Sequence, residues 1–310
     1  MVLTPPVAML LAIKASQVIY GYEHIVFYQQ TIVVDGATVG TVALAGGPVA
    51  TTLDATTLGM GIGLAFGRIG CFRVACCHGR RARCGVRYGE AHAAAGFPAR
   101  WIGLPLVPLP LIDGAVSLAA TVTAVLMWRD GAAAGVAAAV YLGIYGVGRF
   151  ALEFGRGDPV RATRGGITEA QASAAITTAA AAALHPTWWT LSAAGVLLVG
   201  SALLVVAHRW DLAPGWTLAT AHHVDELADA IARGAAVTTR AGVRVTVGRL
   251  PDGRTDVVMT RPGRRLDRAA IARAAAQLGH PGTAYEIVPG RVPGLFHLIM
   301  AAAEPAQSSV

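Results

Sequence analysis

Apolar runs of about 20 residues recur through roughly the first 207 positions, at about 3–21, 32–51, 56–76, 105–128, 133–154 and 187–207. Such a run is long enough to cross a bilayer as a helix. In hydrocarbon every backbone N–H and C=O must be satisfied inside the protein, so these runs fold as helices or not at all. Lys14 and Asp35 interrupt the first two runs, TLDATT separates the second from the third, and WRDG joins the fourth tightly to the fifth. The stretch 166–184, GITEAQASAAITTAAAAAL, reads either as an interfacial segment or as the start of a broken last span. The expectation is an all-α polytopic membrane domain of six or seven transmembrane helices over residues 1–210. Composition agrees: 14% of the residues are charged, against about 25% in soluble domains. No basic segment precedes the first run, which contains Pro5 and Pro6, so it does not read as a signal peptide.

After His208 the chain turns mixed and rich in Arg and Asp. Residues 215–305 read as a small soluble α+β domain. WTLATAHH suggests a strand and VDELADAIARG an amphipathic helix. Strands follow on either side of a PDG turn, then the helix LDRAAIARAAAQLG, then the strands AYEIVPG and LFHLIMA. Strand-helix-strand-strand-helix-strand is the ferredoxin-like order. The adjacent His222 and His223 would then point to opposite faces of a strand, which argues for structural or surface roles.

The net charge is +7, and Lys14 is the only lysine. The arginines are dispersed and not interleaved with aromatic residues, which argues against nucleic acid as a partner. An anionic membrane surface or a phosphate-bearing substrate fits better. Arg129 in a short turn and the His208–Arg209 exit set those ends in the cytoplasm. With six spans both termini lie there, and residues 79–104 face outward.

Arg68 lies at the end of the third run and Arg149 inside the fifth. An ionisable side chain at the centre of a membrane helix costs about 2.5–3.5 kcal/mol or more, so such residues face the bundle interior and carry function. At helical spacing Tyr145, Arg149, Glu153 and Arg156 share a face, as do Arg68, Cys71, Ala75 and Cys76 if the third run stays helical. Together the two faces form a cationic pocket, with Glu153 offsetting the burial of Arg149. A guanidinium suits phosphate because its planar fork donates two hydrogen bonds at once. Glycines 61, 63, 67 and 70, and 143, 146 and 148, let helices approach closely around it.

These segments resemble the prolipoprotein diacylglyceryl transferase family. GRIGCFRVACCHG is similar to its signature, and YGVGRFALEFGRGD to its second motif of Tyr-Gly, Arg, Glu and Arg-x-x-Asp. PLVPLPLID resembles the family's proline-rich approach to a Tyr-Glu pair, and GITEAQASAAI its Gln-x-x-Ser entry to the last segment. The resemblance spans roughly 55–175 in the family's order and implies an inner-membrane enzyme of about seven helices. It implies transfer of diacylglyceryl from phosphatidylglycerol to the lipobox cysteine of a prolipoprotein, with no cofactor and no metal. Arg68, Arg149 and Glu153 would be catalytic; Tyr28, Cys71, Gly79, Tyr145 and Arg156 would bind substrate. A cytoplasmic partner would engage the C-terminal domain.

Departures from the pattern are specific. Cys71 stands where the main group has asparagine, Cys76 where it has glutamate, and Ile112 and Asp113 where it has Tyr-Glu. The family's arm histidine falls near position 28, where this chain has Tyr28; His24 is shifted, and His78 and His92 are alternative thiol activators. These departures support a second reading, a phospholipid-binding scaffold without turnover. Cys71, Cys76, Cys77 and Cys84 match no standard zinc spacing. Packing, a redox disulfide within a thiol oxidoreductase, or a metal are the readings open for them.

Overall fold

A computed structural model of the chain describes residues 4–20, 27–158, 163–264, 266–278 and 284–301. The helices are α1 (Thr4–Tyr20), α2 (Phe27–Leu44), α3 (Val49–Arg73), α4 (Glu90–Ala94), α5 (Leu109–Arg129), α6 (Val136–Leu152), α7 (Glu169–Leu184) and α8 (Trp188–Arg209). They continue with α9 (Pro214–Leu218), α10 (Ala221–Arg233) and α11 (Arg268–Leu278). The strands are β1 (Arg81–Val86), β2 (Thr163–Arg164), β3 (Ile167–Thr168), β4 (Val237–Thr238), β5 (Arg244–Arg249), β6 (Thr255–Thr260), β7 (Tyr285–Pro289) and β8 (Leu295–Met300). They group into two compact units: Met1–Arg73 with Leu109–Phe154 and Ile167–Leu203, and Val74–Pro108 with Gly155–Gly166 and Leu204–Val310.

The first unit is a helix bundle in which α5 packs between α3 and α6, α6 packs on α7, and α2 packs on α1 and α3. The expected runs fall on α1, α2, α3, α5, α6 and α8, but TLDATT lies inside α3 and does not separate two spans; the break comes earlier, at residues 45–48, where Gly46 takes φ 66°. Among the described residues Val49–Arg73, Leu109–Arg129, Val136–Gly155 and Trp188–Arg209 are long and apolar enough to cross a membrane. Along α8 the apolar side chains of Leu191, Val196, Leu198, Val199 and Leu203 face outward, as they would toward lipid. The ambiguous stretch 166–184 forms α7, opened by a reciprocal cap between Thr168 and Gln171. At 1.5 Å per residue, α7 is about 24 Å long, short of a hydrocarbon core of about 30 Å.

Glycine sets the helix spacing at several crossings, Gly61 and Gly146 among them. A Cβ on Gly61 would lie 2.4 Å from Thr121 Oγ1 and 2.5 Å from the Tyr141 ring. One on Gly146 would lie 2.0 Å from Thr178 Oγ1. Gly63, Gly67 and Gly70 instead face open space, so only part of the expected glycine set is used in packing. Between α5 and α6 the chain turns sharply, and Gly135 takes φ 91° just before α6. The orphan N–H groups at that helix start are met from α3: the buried Asp54 carboxylate accepts from Gly135 N and Ala138 N, each at 2.7 Å.

In the second unit, residues 74–108 close on a small aromatic core of Tyr88, Phe97, Trp101, Leu104 and Leu106. Strand β1 bridges back to Leu106. The tail carries a five-stranded antiparallel sheet in the order β4-β5-β6-β8-β7. Leu227 of α10 and Ile271 of α11 pack with Val245, Val257 and Leu298 of the sheet into one core.

This corrects the ferredoxin-like expectation. WTLATAHH is helical, not a strand: Pro214 opens α9 and Thr220 precedes α10. Proline suits a first helical turn because its missing N–H would be unpaired there anyway, and that outweighs an alternation only eight residues long. The sheet therefore begins after α10 and contains no parallel pair among the described residues.

His222 and His223 accordingly sit on α10. His223 is buried and hydrogen-bonded to Thr239 Oγ1 at 3.1 Å. Burial, reinforced by Arg261, pushes its imidazole down to about 4 from an ordinary 6.5. The unfolded chain then binds a proton that the fold refuses between those values. The contribution, about 3 kcal/mol, is complete above pH 6.5 and lost as the pH falls toward 4. Amide-exchange protection in α10 and β5 should fall more steeply between pH 7 and pH 4.5 in the wild type than in His223→Phe. Equal falls would remove His223 as the cause.

Candidate functional site

The site in the first unit begins at Arg68, near the end of α3. Gly114 of α5 faces it; a Cβ there would lie 3.2 Å from Arg68 Cβ and from Ala65 O. That close approach brings Asp113, the next residue, into reach. Arg68 Nη2 donates to Asp113 Oδ2 at 2.8 Å, and both side chains are buried. Pro110, in the first turn of α5, gives up an N–H that has no intrahelical partner.

Tyr145 of α6 donates its hydroxyl to Asp113 Oδ1 at 3.1 Å. It stacks on Tyr141 one turn earlier, with centroids 5.6 Å apart and planes 13° apart. Ser117 Oγ donates to Gly61 O at 2.9 Å, so the Tyr141 hydroxyl, 3.0 Å away, is the donor to Ser117. One turn past Tyr145, Arg149 Nη2 donates to Glu153 Oε2 at 2.6 Å, again with both side chains buried. The Tyr145 hydroxyl lies within electrostatic reach of both Arg68 and Arg149.

The result is two buried ion pairs, one of them hydrogen-bonded by Tyr145. Each carboxylate accepts a hydrogen bond from one guanidinium, offsetting the burial of both charges. Breaking either pair by removing one partner strands a buried charge, at a cost of about 3–5 kcal/mol.

The structure brings Arg68, Tyr145, Arg149 and Glu153 together in one unit and adds Asp113, which sequence reasoning had read only as a replacement. A signal for it existed: an arginine in an apolar bundle needs a carboxylate, and Asp113 is one of very few acids in the helical runs. Cys71 is half-buried on α3, one turn after Arg68. Tyr28 falls within α2, but its side chain, like His24, lies outside the described residues.

Arg156 departs from expectation. Helix α6 ends at Leu152, a single 3-10 turn covers Glu153–Gly155, and Arg156 belongs to the second unit. It bridges Gly79 through the backbone and donates to Asp158 Oδ2 at 2.5 Å. The strand-like crossing needs glycine: a Cβ on Gly157 would lie 2.4 Å from Gly79 O, and one on Gly79 2.7 Å from Val107 Cβ. The helical spacing therefore stops before Arg156. The face proposed for α3 also ends early, because α3 stops at Arg73 and Ala75 takes φ 58°. Cys76 and Cys77 lie beyond the helix, their sulfurs 3.7 Å apart, and all four cysteines are thiols.

His78 is buried between Phe97 and Trp101, with ring centroids 5.2 and 5.9 Å away. Its Nδ1 donates to Gly79 O at 3.0 Å. Burial pushes its imidazole below the ordinary value, against an opposing pull from that hydrogen bond and from Asp158.

The first unit is thus a helix bundle with buried arginine–carboxylate pairs, in a chain with four helices long and apolar enough to cross a membrane among the described residues. A family sequence model described as prolipoprotein diacylglyceryl transferase matches residues 29–187, and the chain belongs to that family. The match covers α3, α5, α6 and α7, and with them both ion pairs. It supports a role in prolipoprotein diacylglyceryl transfer. No curated protein and no solved structure matches the chain.

Proposed function

We propose that the chain transfers diacylglyceryl from phosphatidylglycerol to the lipobox cysteine of a prolipoprotein, the first step of bacterial lipoprotein maturation. The observation that carries this reading is the pair of buried arginines, Arg68 held by Asp113 and Arg149 held by Glu153, inside the family-matched segment. The acceptor thiolate attacks a glycerol carbon of the lipid. A carbon–sulfur bond forms, the carbon–oxygen bond to phosphate breaks, and glycerol phosphate leaves with the electron pair. Arg68 and Arg149 hold the phosphate and stabilise the charge that grows on the leaving oxygen. Tyr145 and Glu153 position the two guanidinium groups. Tyr28 and Cys71 contribute substrate contacts. The acceptor cysteine belongs to the substrate, and no cofactor or metal takes part.

In this reading α1, α2, α3, α5, α6 and α8 cross the bacterial cytoplasmic membrane, with α7 as a short seventh segment. Residues 1–210 form the membrane domain, and 215–305 form a soluble α+β domain that engages a cytoplasmic partner. A second reading, a phospholipid-binding scaffold without turnover, is favoured by Tyr28, a phenol where the family has an imidazole. Complementation separates the two. Expression in a transferase-depleted bacterial strain should restore growth and lipoprotein processing. Failure to do so by a chain that reaches the membrane and retains phosphatidylglycerol would favour the scaffold.

A further inference from the structure

Three stretches that the long helices separate along the chain belong to the second unit: Val74–Pro108 between α3 and α5, Gly155–Gly166 between α6 and α7, and Leu204–Val310 from the end of α8 onward. Specific contacts join them. Arg80 N donates to Gly155 O at 2.8 Å, Gly157 N to His78 O at 3.1 Å, and Arg80 Nε to Arg156 O at 3.1 Å. Gly166 lies against the end of α8, where a Cβ would come within 2.5 Å of His208 Cβ and 2.9 Å of Leu204 O. The tail reaches residues 74–108 at three points. Arg100 pairs with Asp225 of α10, and Arg81 Nη1 donates to Ala276 O of α11 at 3.3 Å. The Arg80 guanidinium stands 5.8 Å from the centre of the Trp216 ring of α9. Just past α8, both carboxylate oxygens of Asp211 accept from Arg261 Nη1, at 2.8 and 2.9 Å, which ties the exit of α8 to the end of β6.

Groups in hydrogen-bond or van der Waals contact cannot stand on opposite sides of a hydrocarbon core about 30 Å thick. We infer that the C-terminal domain shares one side of the membrane with residues 74–108 and docks on them, so that the tail braces the segment that follows α3. The chain must then leave that side after Gly166 and regain it by Leu204. Helix α8, 22 residues and about 33 Å long, spans the core, and α7 crosses it in the other direction. A helix of about 24 Å does so by local thinning of the bilayer, at a modest cost per ångström of mismatch. Helices α5 and α6 leave and return in the same way, which sets the Arg129 turn on the opposite side. The charge-based expectation put residues 79–104 and the tail on opposite sides. It fails because six spans leave α7 out of the count.

The placement goes beyond the transfer reading and does not depend on it. Its test labels full-length, membrane-embedded chains carrying one cysteine each with a membrane-impermeant maleimide, in intact cells and in inverted vesicles. Cys84 of β1 is exposed and is kept alone by replacing the other three cysteines with serine. Asp252→Cys in the tail and Asp130→Cys in the α5–α6 turn, both at exposed positions, are made with all four cysteines replaced. Cys84 and Asp252→Cys should react from one side, and Asp130→Cys from the other. Reaction of Cys84 and Asp252→Cys from opposite sides overturns the inference, as does reaction of Asp252→Cys and Asp130→Cys from the same side. Docking is read separately, from Arg100→Cys with Asp225→Cys in the chain lacking its own cysteines. Diamide, a mild thiol oxidant, should close a disulfide between them that speeds migration on a non-reducing gel. Arg100→Cys with Asp130→Cys should form none. Absence of the first cross-link in a chain whose labels share a side overturns the docking. Neither measurement needs turnover, so a failure here leaves the transfer reading standing, and a failure of transfer leaves the placement standing.

Discussion

Arg149→Lys should lower diacylglyceryl transfer by at least about 100-fold, comparable to the loss of one aimed donor from a charge-stabilising site, while leaving the bundle folded. Lysine keeps the positive charge and can still reach Glu153, which lies one turn away and pairs with Arg149 at 2.6 Å. What it lacks is the planar fork that can bind the carboxylate and a phosphate at the same time. Because each arginine is already neutralised by a carboxylate, directional donors matter more here than net charge. Arg68→Lys should behave likewise, since Arg68 is held by Asp113 in the same manner. Glu153→Ala should act differently: it strands a buried guanidinium and lowers stability by about 3–5 kcal/mol. Transfer rates and thermal unfolding measured on the same preparations separate the two effects. Near-wild-type transfer in both lysine variants would remove the arginines from the chemistry.

Asp54→Ala should produce the largest loss of stability of any single substitution distant from the ion pairs. The carboxylate is fully buried and caps α6 from a neighbouring helix, accepting two backbone N–H groups at 2.7 Å. Removing it leaves both donors unsatisfied, at about 1–3 kcal/mol each, and removes a negative charge from the positive end of the helix dipole. A total loss of about 4 kcal/mol follows from those terms. Asp54→Asn retains one oxygen acceptor and should lose about half as much. Transfer should fall along with stability, because α6 carries Tyr145 and Arg149. Equal unfolding midpoints for wild type and Asp54→Ala would show that α6 is held in place by packing alone.

Much of the helix bundle was legible because run length is a strong signal: a segment of about 20 apolar residues has few folds open to it. The arginines were legible for the same reason, as charges standing out against an apolar background. What failed was extrapolation of a period past its end. Arg156 was placed on α6 by counting helical turns through Gly155 and Gly157, where the chain leaves the helix for a backbone crossing with Gly79. Asp113 was missed because it was compared with a family position instead of being asked which cation it could pair. In the tail, a short alternation in WTLATAHH was given more weight than the start signals at Pro214 and Thr220. Glycine count alone did not tell Gly61, which meets Tyr141, from Gly63, which meets nothing; that depends on which helix face is turned inward.

The central claim is that this bundle moves a diacylglyceryl group from a phospholipid to a thiol. Its most direct test is mass spectrometry of a lipobox peptide incubated with the full-length chain in phosphatidylglycerol vesicles, beside an established transferase. The account predicts a thioether adduct carrying the mass of diacylglyceryl, formed with release of glycerol phosphate and absent in Arg149→Lys. A chain that retains phosphatidylglycerol yet yields no adduct, under conditions where the reference enzyme does, would contradict it.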